Sequence, residues 1–194
     1  MFYKNWNFFI WPVCGISLYE ITFSMKSILL IFMIGAIFSS LLFGRGNPLE
    51  IGENFPPLKG KDQNGEVFAL PGSVPSQKAF VLVYFYPKAD TPGCTAQACS
   101  LRDEFENLEE KGVKVVGVSG DTVAKQKAFA DRHDLPFTLI ADTEATWMQA
   151  FGVPHRGSFA SRQAFLFEGG KLVWKDLSAS TSKQAADVLA FLNE

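Results

Sequence analysis

The sequence predicts an α/β domain in which helices flank a central β-sheet, on three observations. Residues 79–86 (AFVLVYFY) and 113–119 (VKVVGVS) are almost uninterrupted apolar runs rich in β-branched and aromatic residues, typical of strands buried on both faces. Segments with helical character lie between such runs, as expected where helices connect the strands of one sheet. A later pair of strands with a Gly-Gly turn adds antiparallel pairing at the edge of the sheet.

The first half of the domain contains a hairpin, a buried strand and a helix. Residues 58–70 carry an Asn-Gly turn between two short strand-like pieces, which favours a β-hairpin. The apolar run 79–86 follows as a strand. A helix rich in Glu and Leu is predicted from about Cys94 to Lys111, and Gly112 marks its end.

The middle of the domain repeats the alternation of strand and helix. The strand 113–119 is followed by a helix that Asp121 is predicted to cap and that runs to about His133. A third strand is predicted at 137–141 and a short helix at 144–152.

The remaining elements are a hairpin over residues 163–177, with its turn at Gly169-Gly170, and an amphipathic helix over 182–193. The chain has 194 residues and 47% hydrophobic residues, which suits one core rather than two domains. The net charge of -2 gives no basic surface for nucleic acid, and two histidines are too few for most metal sites.

We expect two parts in the chain: a leader at residues 1–47, containing a hydrophobic membrane anchor or signal segment, and a globular domain at 48–194. Residues 28–43 carry no charge and lie in length between a signal-peptide core and a full membrane span. Leu41, Leu42 and Phe43 occupy the positions where a cleavage site needs small residues. A retained membrane anchor is therefore favoured over a cleaved signal.

The start of the chain and the side of the membrane stay open. Met25 offers an alternative start, in which case the first 24 residues are not made. Lys4 and Lys26 before the apolar run outweigh Arg45 after it by one charge, which favours an exported domain on the periplasmic side. A cytoplasmic-facing or soluble domain is the alternative.

Two of the three cysteines, Cys94 and Cys99, lie five positions apart, and Cys14 is interpreted as an inert thiol in the leader. Five residues are too long a spacing for a Cys-x-x-Cys motif. Near a helix N-terminus, the free N–H groups and the macrodipole stabilise a thiolate. Five helical residues separate Cα atoms by roughly 8–9 Å, and a disulfide needs about 7 Å or less. The pair must unwind the helix to bond, which favours a catalytic role.

The run Pro87-x-x-x-Thr91-x-x-Cys94 resembles the active-site motif of peroxiredoxins. The wider pattern TPGCTAQACSLRD is similar to the bacterioferritin-comigratory-protein, or peroxiredoxin Q, subgroup, and the resemblance extends from about Gly52 to the C-terminus. It implies a thioredoxin-like fold, with a central mixed sheet flanked by helices, which here would follow an N-terminal hydrophobic segment.

The resemblance also implies the roles of five residues. Cys94 matches the peroxidatic cysteine that attacks the peroxide bond, and Cys99 matches the resolving cysteine. Thr91 matches the hydroxyl that contacts the thiolate and the peroxide, and Pro87 the residue that shields the thiolate from water. Arg162, before a late strand, matches the arginine that keeps the thiolate charged.

By the same resemblance, the protein reduces hydrogen peroxide and organic hydroperoxides to water and alcohols as part of antioxidant defence. A thioredoxin-like dithiol would reduce the resulting disulfide. No metal, flavin or haem is required, and the catalytic domain is expected to be monomeric. One departure concerns Ala164, where the family usually has Thr or Ser; this leaves the hydrogen-bond support of Arg162 open.

Two alternatives from other classes fit the sequence less well. A membrane-tethered copper carrier of thioredoxin fold uses a shorter cysteine spacing and a histidine in a matching context. A thioredoxin-type disulfide carrier needs Cys-x-x-Cys and a proline before the late strand, where this chain has Ser161-Arg162.

Overall fold

The structure is a computed structural model that describes residues 47–70 and 80–193. Residues Gly44–Glu194 form one compact unit; the domain boundary expected at residue 48 stays a prediction. The strands are β1 (Leu58–Asp62), β2 (Val67–Leu70), β3 (Phe80–Phe85), β4 (Val113–Ser119), β5 (Thr138–Ala141), β6 (His155–Arg156), β7 (Phe159–Ala160), β8 (Gln163–Glu168) and β9 (Lys171–Asp176). The helices are α1 (Pro92–Asp103), α2 (Phe105–Glu110), α3 (Val123–Arg132), α4 (Thr146–Ala150) and α5 (Gln184–Leu192).

Seven of these strands form one mixed sheet in the order β2-β1-β5-β4-β3-β8-β9. The central strands β3, β4 and β5 are parallel. Antiparallel strands extend the sheet on both sides, β1 and β2 beyond β5, and β8 and β9 beyond β3. The predicted α/β architecture is confirmed, since helices connect the parallel strands and hairpins form the edges.

Strand β3 separates two apolar cores, because successive side chains of a strand point to opposite faces. Val81, Val83 and Phe85 pack into one core, and Leu82 and Tyr84 pack into the other. All five side chains are buried, which explains the continuous apolar run in the sequence.

We call the core that contains Tyr84 and Cys94 the cysteine face, and the opposite core the aromatic face. Buried aromatic rings of the aromatic face are Phe55, Phe68, Phe85, Trp147, Phe151, Phe165 and Phe167. Helices α1, α2, α3 and α5 contribute buried residues to the cysteine face, and α4 contributes to the aromatic face. The sheet is thus covered by helices on both sides.

The helix predicted from Cys94 to Lys111 is two helices in the structure. Glu104, with φ -104° and ψ 15°, leaves the helical conformation and separates α1 from α2. Leu101 and Leu108 are both fully buried, so each helix still contributes to the cysteine face. No glycine or proline stands at the break, which is why the sequence pattern does not reveal it.

Asp121 does not cap α3, contrary to the prediction. The helix begins after Thr122, and its first turn receives no side-chain cap. The Asp121 carboxylate is buried and accepts hydrogen bonds from the Ala89 backbone N–H at 2.7 Å and the Ser119 hydroxyl at 3.0 Å. A buried carboxylate has to be hydrogen-bonded, and these contacts direct Asp121 towards the loop before α1 instead of towards α3.

The hairpin β8–β9 turns at Gly169-Gly170 as predicted. Both glycines have positive φ, 55° and 86°, a conformation that glycine adopts at no steric cost. The two-residue strands β6 and β7, joined by Gly157-Ser158, were not predicted, because two residues are too few to show a periodic pattern.

The expectation of a membrane protein has to be corrected. None of the helices within residues 47–70 and 80–193 is long and apolar enough to cross a membrane. The longest of them, α1, has 12 residues, or roughly 18 Å at 1.5 Å per residue, against about 30 Å of bilayer core. The prediction of a transmembrane protein is therefore wrong as far as the described residues go. The apolar run 28–43, on which that prediction depended, lies outside them.

Candidate active site

Helix α1 begins at the carboxyl end of β3, after the loop of residues 87–91. Thr91 has extended backbone angles (φ -93°, ψ 149°) and Pro92 occupies the first helical turn, where the missing N–H of proline costs no hydrogen bond. The Thr91 side chain does not cap the helix. Cys94 lies in this first turn, among backbone N–H groups and at the positive end of the helix dipole.

The Cys94 thiol is almost completely buried, with 1% of the residue exposed. It packs in the cysteine face near Tyr84 and Ala98. Its sulfur lies 3.4 Å from Nη2 of Arg162, which donates a hydrogen bond to it. A guanidinium keeps its charge at every accessible pH, so Arg162 places a fixed positive charge beside the sulfur.

The register of β3 and β8 brings Arg162 to Cys94. Phe85 pairs with Gln163, so Arg162, one residue before β8, lies beside the carboxyl end of β3 from which the loop leads to α1. A Cβ at Gly93 would lie 3.3 Å from Cγ2 of Thr181, a tight contact, and 3.4 Å from Nη2 of Arg162, an ordinary van der Waals distance. The structure therefore brings Cys94 and Arg162 together; their predicted catalytic roles stay predictions.

Gln97 supports Arg162, and sequence reasoning missed it. Its Oε1 accepts a hydrogen bond from Nη1 of Arg162, and its Nε2 donates to Oε1 of Gln184 at 2.7 Å. Ala164, the departure noted in the sequence, is fully buried opposite Tyr84 and offers Arg162 no side-chain acceptor. The signal for Gln97 was its position: it lies three residues after Cys94, on the same face of the helix.

Thr91 and Pro87 lie in the loop before Cys94, but their predicted contacts are not seen. The Thr91 hydroxyl donates a hydrogen bond to the Lys88 carbonyl at 3.0 Å, not to the Cys94 sulfur. Pro87 is half-buried and lines a pocket of about 110 Å³ together with Phe159. The roles of Thr91 and Pro87 therefore stay predictions.

Two carboxylates hold the loop of residues 87–91 in place. Asp121 accepts the Ala89 N–H, as described above. Asp90 has a positive φ of 58°, and its carboxylate contacts Nη1 of Arg132 at 2.9 Å and Nε2 of His133 at 3.2 Å. The loop is thus fastened to both ends of α3, which fixes where α1 starts.

Cys99 lies in the same unbroken helix as Cys94 and is half-buried. Both cysteines are free thiols. An intact helix separates their Cα atoms by roughly 8–9 Å, beyond the roughly 7 Å limit for a disulfide. One turn after Cys99, Arg102 donates hydrogen bonds to the Asp103 carboxylate and the His133 carbonyl, and the Asp103 bond raises the pKa of Arg102.

Tyr84 adds a neutral hydroxyl beneath the site. The side chain is fully buried, and its hydroxyl has no hydrogen-bond partner within the described part of the chain. Burial raises the pKa of Tyr84 well above its usual value, with further contributions from Tyr86 and Cys94. Gly117 makes the space for this ring, since a Cβ there would lie 2.8 Å from the Tyr84 hydroxyl.

Comparison with known proteins supports the resemblance found in the motif. The model of the AhpC/TSA family matches residues 51–175. Peroxiredoxin Bcp of Escherichia coli (strain K12) is 44% identical over 116 residues, which cover 60% of this chain and 72% of that protein. Chloroplastic peroxiredoxin Q of Sedum lineare is 40% identical over 125 residues, 63% of this chain and 65% of that protein, so the match spans just under two thirds of its length.

A solved structure shows the same fold. The crystal structure of peroxidoxin BcpB from Mycobacterium tuberculosis superposes with a TM-score of 0.69 at 30% sequence identity, covering 75% of this chain and 97% of that one. The predicted thioredoxin-like fold of the peroxiredoxins, a mixed sheet flanked by helices, is thereby confirmed. The predicted similarity to the peroxiredoxin Q and Bcp subgroup is confirmed as well.

Proposed function

The chain belongs to the AhpC/TSA family, and from that premise we propose that it is a thiol-dependent peroxidase with Cys94 as the peroxidatic cysteine. One observation carries the proposal: the Cys94 sulfur, in the first turn of α1, lies 3.4 Å from a guanidinium nitrogen of Arg162. A helix N-terminus and a fixed positive charge both favour a thiolate. The thiolate is the form that attacks a peroxide.

In the first step, the Cys94 thiolate attacks one oxygen of ROOH and the O–O bond breaks. Cys94 becomes a sulfenic acid, and the leaving RO⁻ takes up a proton to give an alcohol, or water when R is hydrogen. Arg162 stabilises the negative charge that moves from sulfur to oxygen. Thr91 would contact the peroxide from the loop, and Pro87 would limit access of water.

In the second step, the Cys99 thiol attacks the Cys94 sulfenic acid, which forms a disulfide and releases water. Because both residues lie in one helix, α1 has to unwind between them first. Cys99 is half-buried in the intact helix, so unwinding also exposes it to the sulfenic acid.

In the third step, a thioredoxin-like dithiol reduces the disulfide by exchange and becomes oxidised itself. The substrates would be hydrogen peroxide and organic hydroperoxides, and the cellular role antioxidant defence. The two cysteines and the external dithiol supply all the electrons, so the cycle requires no metal, flavin or haem.

The experiment measures peroxide consumption by the full chain with thioredoxin, thioredoxin reductase and NADPH. We expect NADPH oxidation that depends on peroxide, on the protein and on thioredoxin, with hydrogen peroxide and cumene hydroperoxide as the two substrates. Cys94→Ser is expected to abolish both NADPH oxidation and single-turnover peroxide loss.

The outcomes separate the parts of the proposal. Peroxide loss that persists in Cys94→Ser would overturn the assignment of Cys94. Activity with dithiothreitol but not with thioredoxin would keep the peroxidase and remove the proposed reductant. Ser100→Ala, a substitution one residue after Cys99 in the same helix, is the matched control for disturbance of α1.

A further inference from the structure

A chain of hydrogen bonds joins the Cys94 sulfur to helix α5. Arg162 donates to Cys94 through Nη2 and to Oε1 of Gln97 through Nη1. Gln97 in turn donates through Nε2 to Oε1 of Gln184, at 2.7 Å. Gln97 and Gln184 are both fully buried. Gln184, 90 positions after Cys94 in the sequence, is therefore connected to the thiol through the Gln97 amide and the Arg162 guanidinium.

The donor-only chemistry of arginine sets the direction of this chain. Arg162 has no acceptor, so Gln97 has to present its oxygen to the guanidinium. The Gln97 amide nitrogen then points towards α5 and needs an acceptor there, which Gln184 Oε1 provides. The orientation of Gln97 thus depends on an oxygen at position 184.

Gln184 supplies this oxygen at a cost. Its Nε2 is buried and has no hydrogen-bond partner within residues 47–70 and 80–193. Leaving a buried amide donor unpaired is unfavourable, but an apolar side chain at position 184 would leave Gln97 Nε2 without its acceptor instead. An oxygen is therefore needed at position 184 as long as Gln97 presents its own oxygen to Arg162.

We propose that Gln184 is a positioning residue: it holds the Gln97 amide with its oxygen towards Arg162, and it fastens α1 to α5. The first role keeps the guanidinium directed at Cys94. The second follows because Gln97 lies between Cys94 and Cys99, so the bond to Gln184 has to break before α1 can unwind for the disulfide. This inference rests on the proposed peroxidase function for its second role only.

Removing the Gln184 oxygen has two opposite consequences. Gln97 becomes free to turn its amide, Arg162 loses a fixed acceptor, and the Cys94 thiolate loses part of its stabilisation. At the same time α1 loses one of its attachments to α5, against which it packs, so the unwinding that precedes the disulfide becomes easier. A packing defect alone would not produce this pair of effects.

The first measurement is the pH profile of Cys94 alkylation by iodoacetamide in the full chain, read by peptide mass spectrometry. We expect the Cys94 profile of Gln184→Met to move to higher pH by about one unit, a tenfold change in the thiol–thiolate equilibrium. Cys99, read in the same digest, is the internal reference.

Val188→Ala is the matched control, because Val188 is fully buried in the same helix and packs in the cysteine face without a polar group. It is expected to lower stability and leave the Cys94 profile in place. A Gln184→Met profile that moves no further than that of Val188→Ala would overturn the proposal. If Gln184→Met does not fold, Gln184→Asn, whose shorter side chain withdraws the oxygen, is expected to give the same shift.

The second measurement treats the full chain with one equivalent of hydrogen peroxide and follows Cys94–Cys99 disulfide formation by acid quenching. We expect the disulfide to form several-fold faster from the sulfenic acid in Gln184→Met than in the wild type. An equal or slower rate would overturn the fastening role. The alkylation measurement needs no peroxide. A wild-type chain that consumes no peroxide would therefore refute the proposed function, and the alkylation profiles would still test whether Gln184 positions Arg162.

Discussion

The two faces of the sheet are built from different kinds of side chain. The aromatic face is a cluster of rings, such as Phe151 and Phe165 with centroids 5.2 Å apart, and none of its core residues within the described part of the chain is a cysteine. The cysteine face buries three glutamines, Gln97, Gln126 and Gln184, alongside its apolar residues. The aromatic face consists mainly of packed rings, with Gln163 and Asp142 among its few buried polar residues. The helices of the cysteine face are also joined by hydrogen bonds that involve glutamine amides.

The two faces therefore differ in role: the ring cluster supports the strands, and the other core contains Cys94. Close-packed rings resist displacement, because any shift opens a cavity. Hydrogen bonds between amides can be broken and remade with water when a helix unwinds, at a smaller net cost. The aromatic face therefore supports β3 and β8, whose pairing places Arg162, while α1 on the cysteine face is the helix that the proposed cycle has to unwind.

The largest effect is expected from Cys99→Ser, because this variant lacks the thiol with which Cys94 would form a disulfide. Turnover with thioredoxin should fall by at least about two orders of magnitude, because the sulfenic acid no longer finds an internal thiol. The first reaction with peroxide should proceed at the wild-type rate. Stopped-flow single-turnover measurements beside the coupled NADPH assay check both. Wild-type turnover in Cys99→Ser would show that the resolving thiol comes from elsewhere.

Truncating one ring on each face tests whether the faces differ as described. Phe151→Ala and Phe129→Ala each remove a fully buried ring, from the aromatic and the cysteine face respectively. Each should lower the free energy of unfolding by about 3–5 kcal/mol, measured by denaturant titration.

Only the variant on the cysteine face should also change reactivity at Cys94. Phe129 packs against Tyr86 and His133, and His133 contacts Asp90 in the loop before α1. The iodoacetamide profile of Cys94 should therefore move in Phe129→Ala and stay in place in Phe151→Ala. Equal profiles in the two variants would mean that the faces are not functionally distinct.

Arg162→Ala removes the positive charge that the pairing of β3 with β8 places beside Cys94. The reaction of Cys94 with peroxide should slow by about 10²-fold, as for loss of one donor directed at a developing charge. The Cys94 alkylation profile should move to higher pH, and the free energy of unfolding should fall as well, because the buried Gln97 Oε1 loses its donor. Arg156→Ala, an exposed arginine in β6, is the control. Unchanged peroxide kinetics in Arg162→Ala would place the activating charge elsewhere.

The smallest effect concerns Asp142, which accepts the Trp147 and Met148 N–H groups at the start of α4. Burial raises the pKa of Asp142 above its usual value. A carboxyl whose pKa is higher in the folded state holds its proton more tightly there, so stability falls as pH rises from the unfolded to the folded pKa. Denaturant titrations at several acidic pH values should show that the free energy of unfolding of the wild type falls relative to that of Asp142→Asn as the pH is raised. A difference between the two free energies that does not change with pH would refute this prediction.

Local patterns predicted much of this molecule. The apolar run of β3 and the Gly169-Gly170 turn depend on neighbouring residues, and the structure agrees with both. The break at Glu104 and the contact of Asp121 with Ala89 depend on partners far along the chain, and they were missed. Gln97 was missed for the same reason, because its meaning appears only when α5 and Arg162 are placed beside it.

The distance in sequence between Cys94 and Arg162 has a consequence for the protein during its synthesis. The two residues are 68 positions apart, so at about 5–20 residues per second a ribosome makes Cys94 roughly 3–14 s before Arg162. Until β8 pairs with β3, the nascent cysteine has no guanidinium beside it and is an ordinary thiol. In the proposed cycle, Cys94 would therefore become reactive towards peroxide only after β8 has paired with β3.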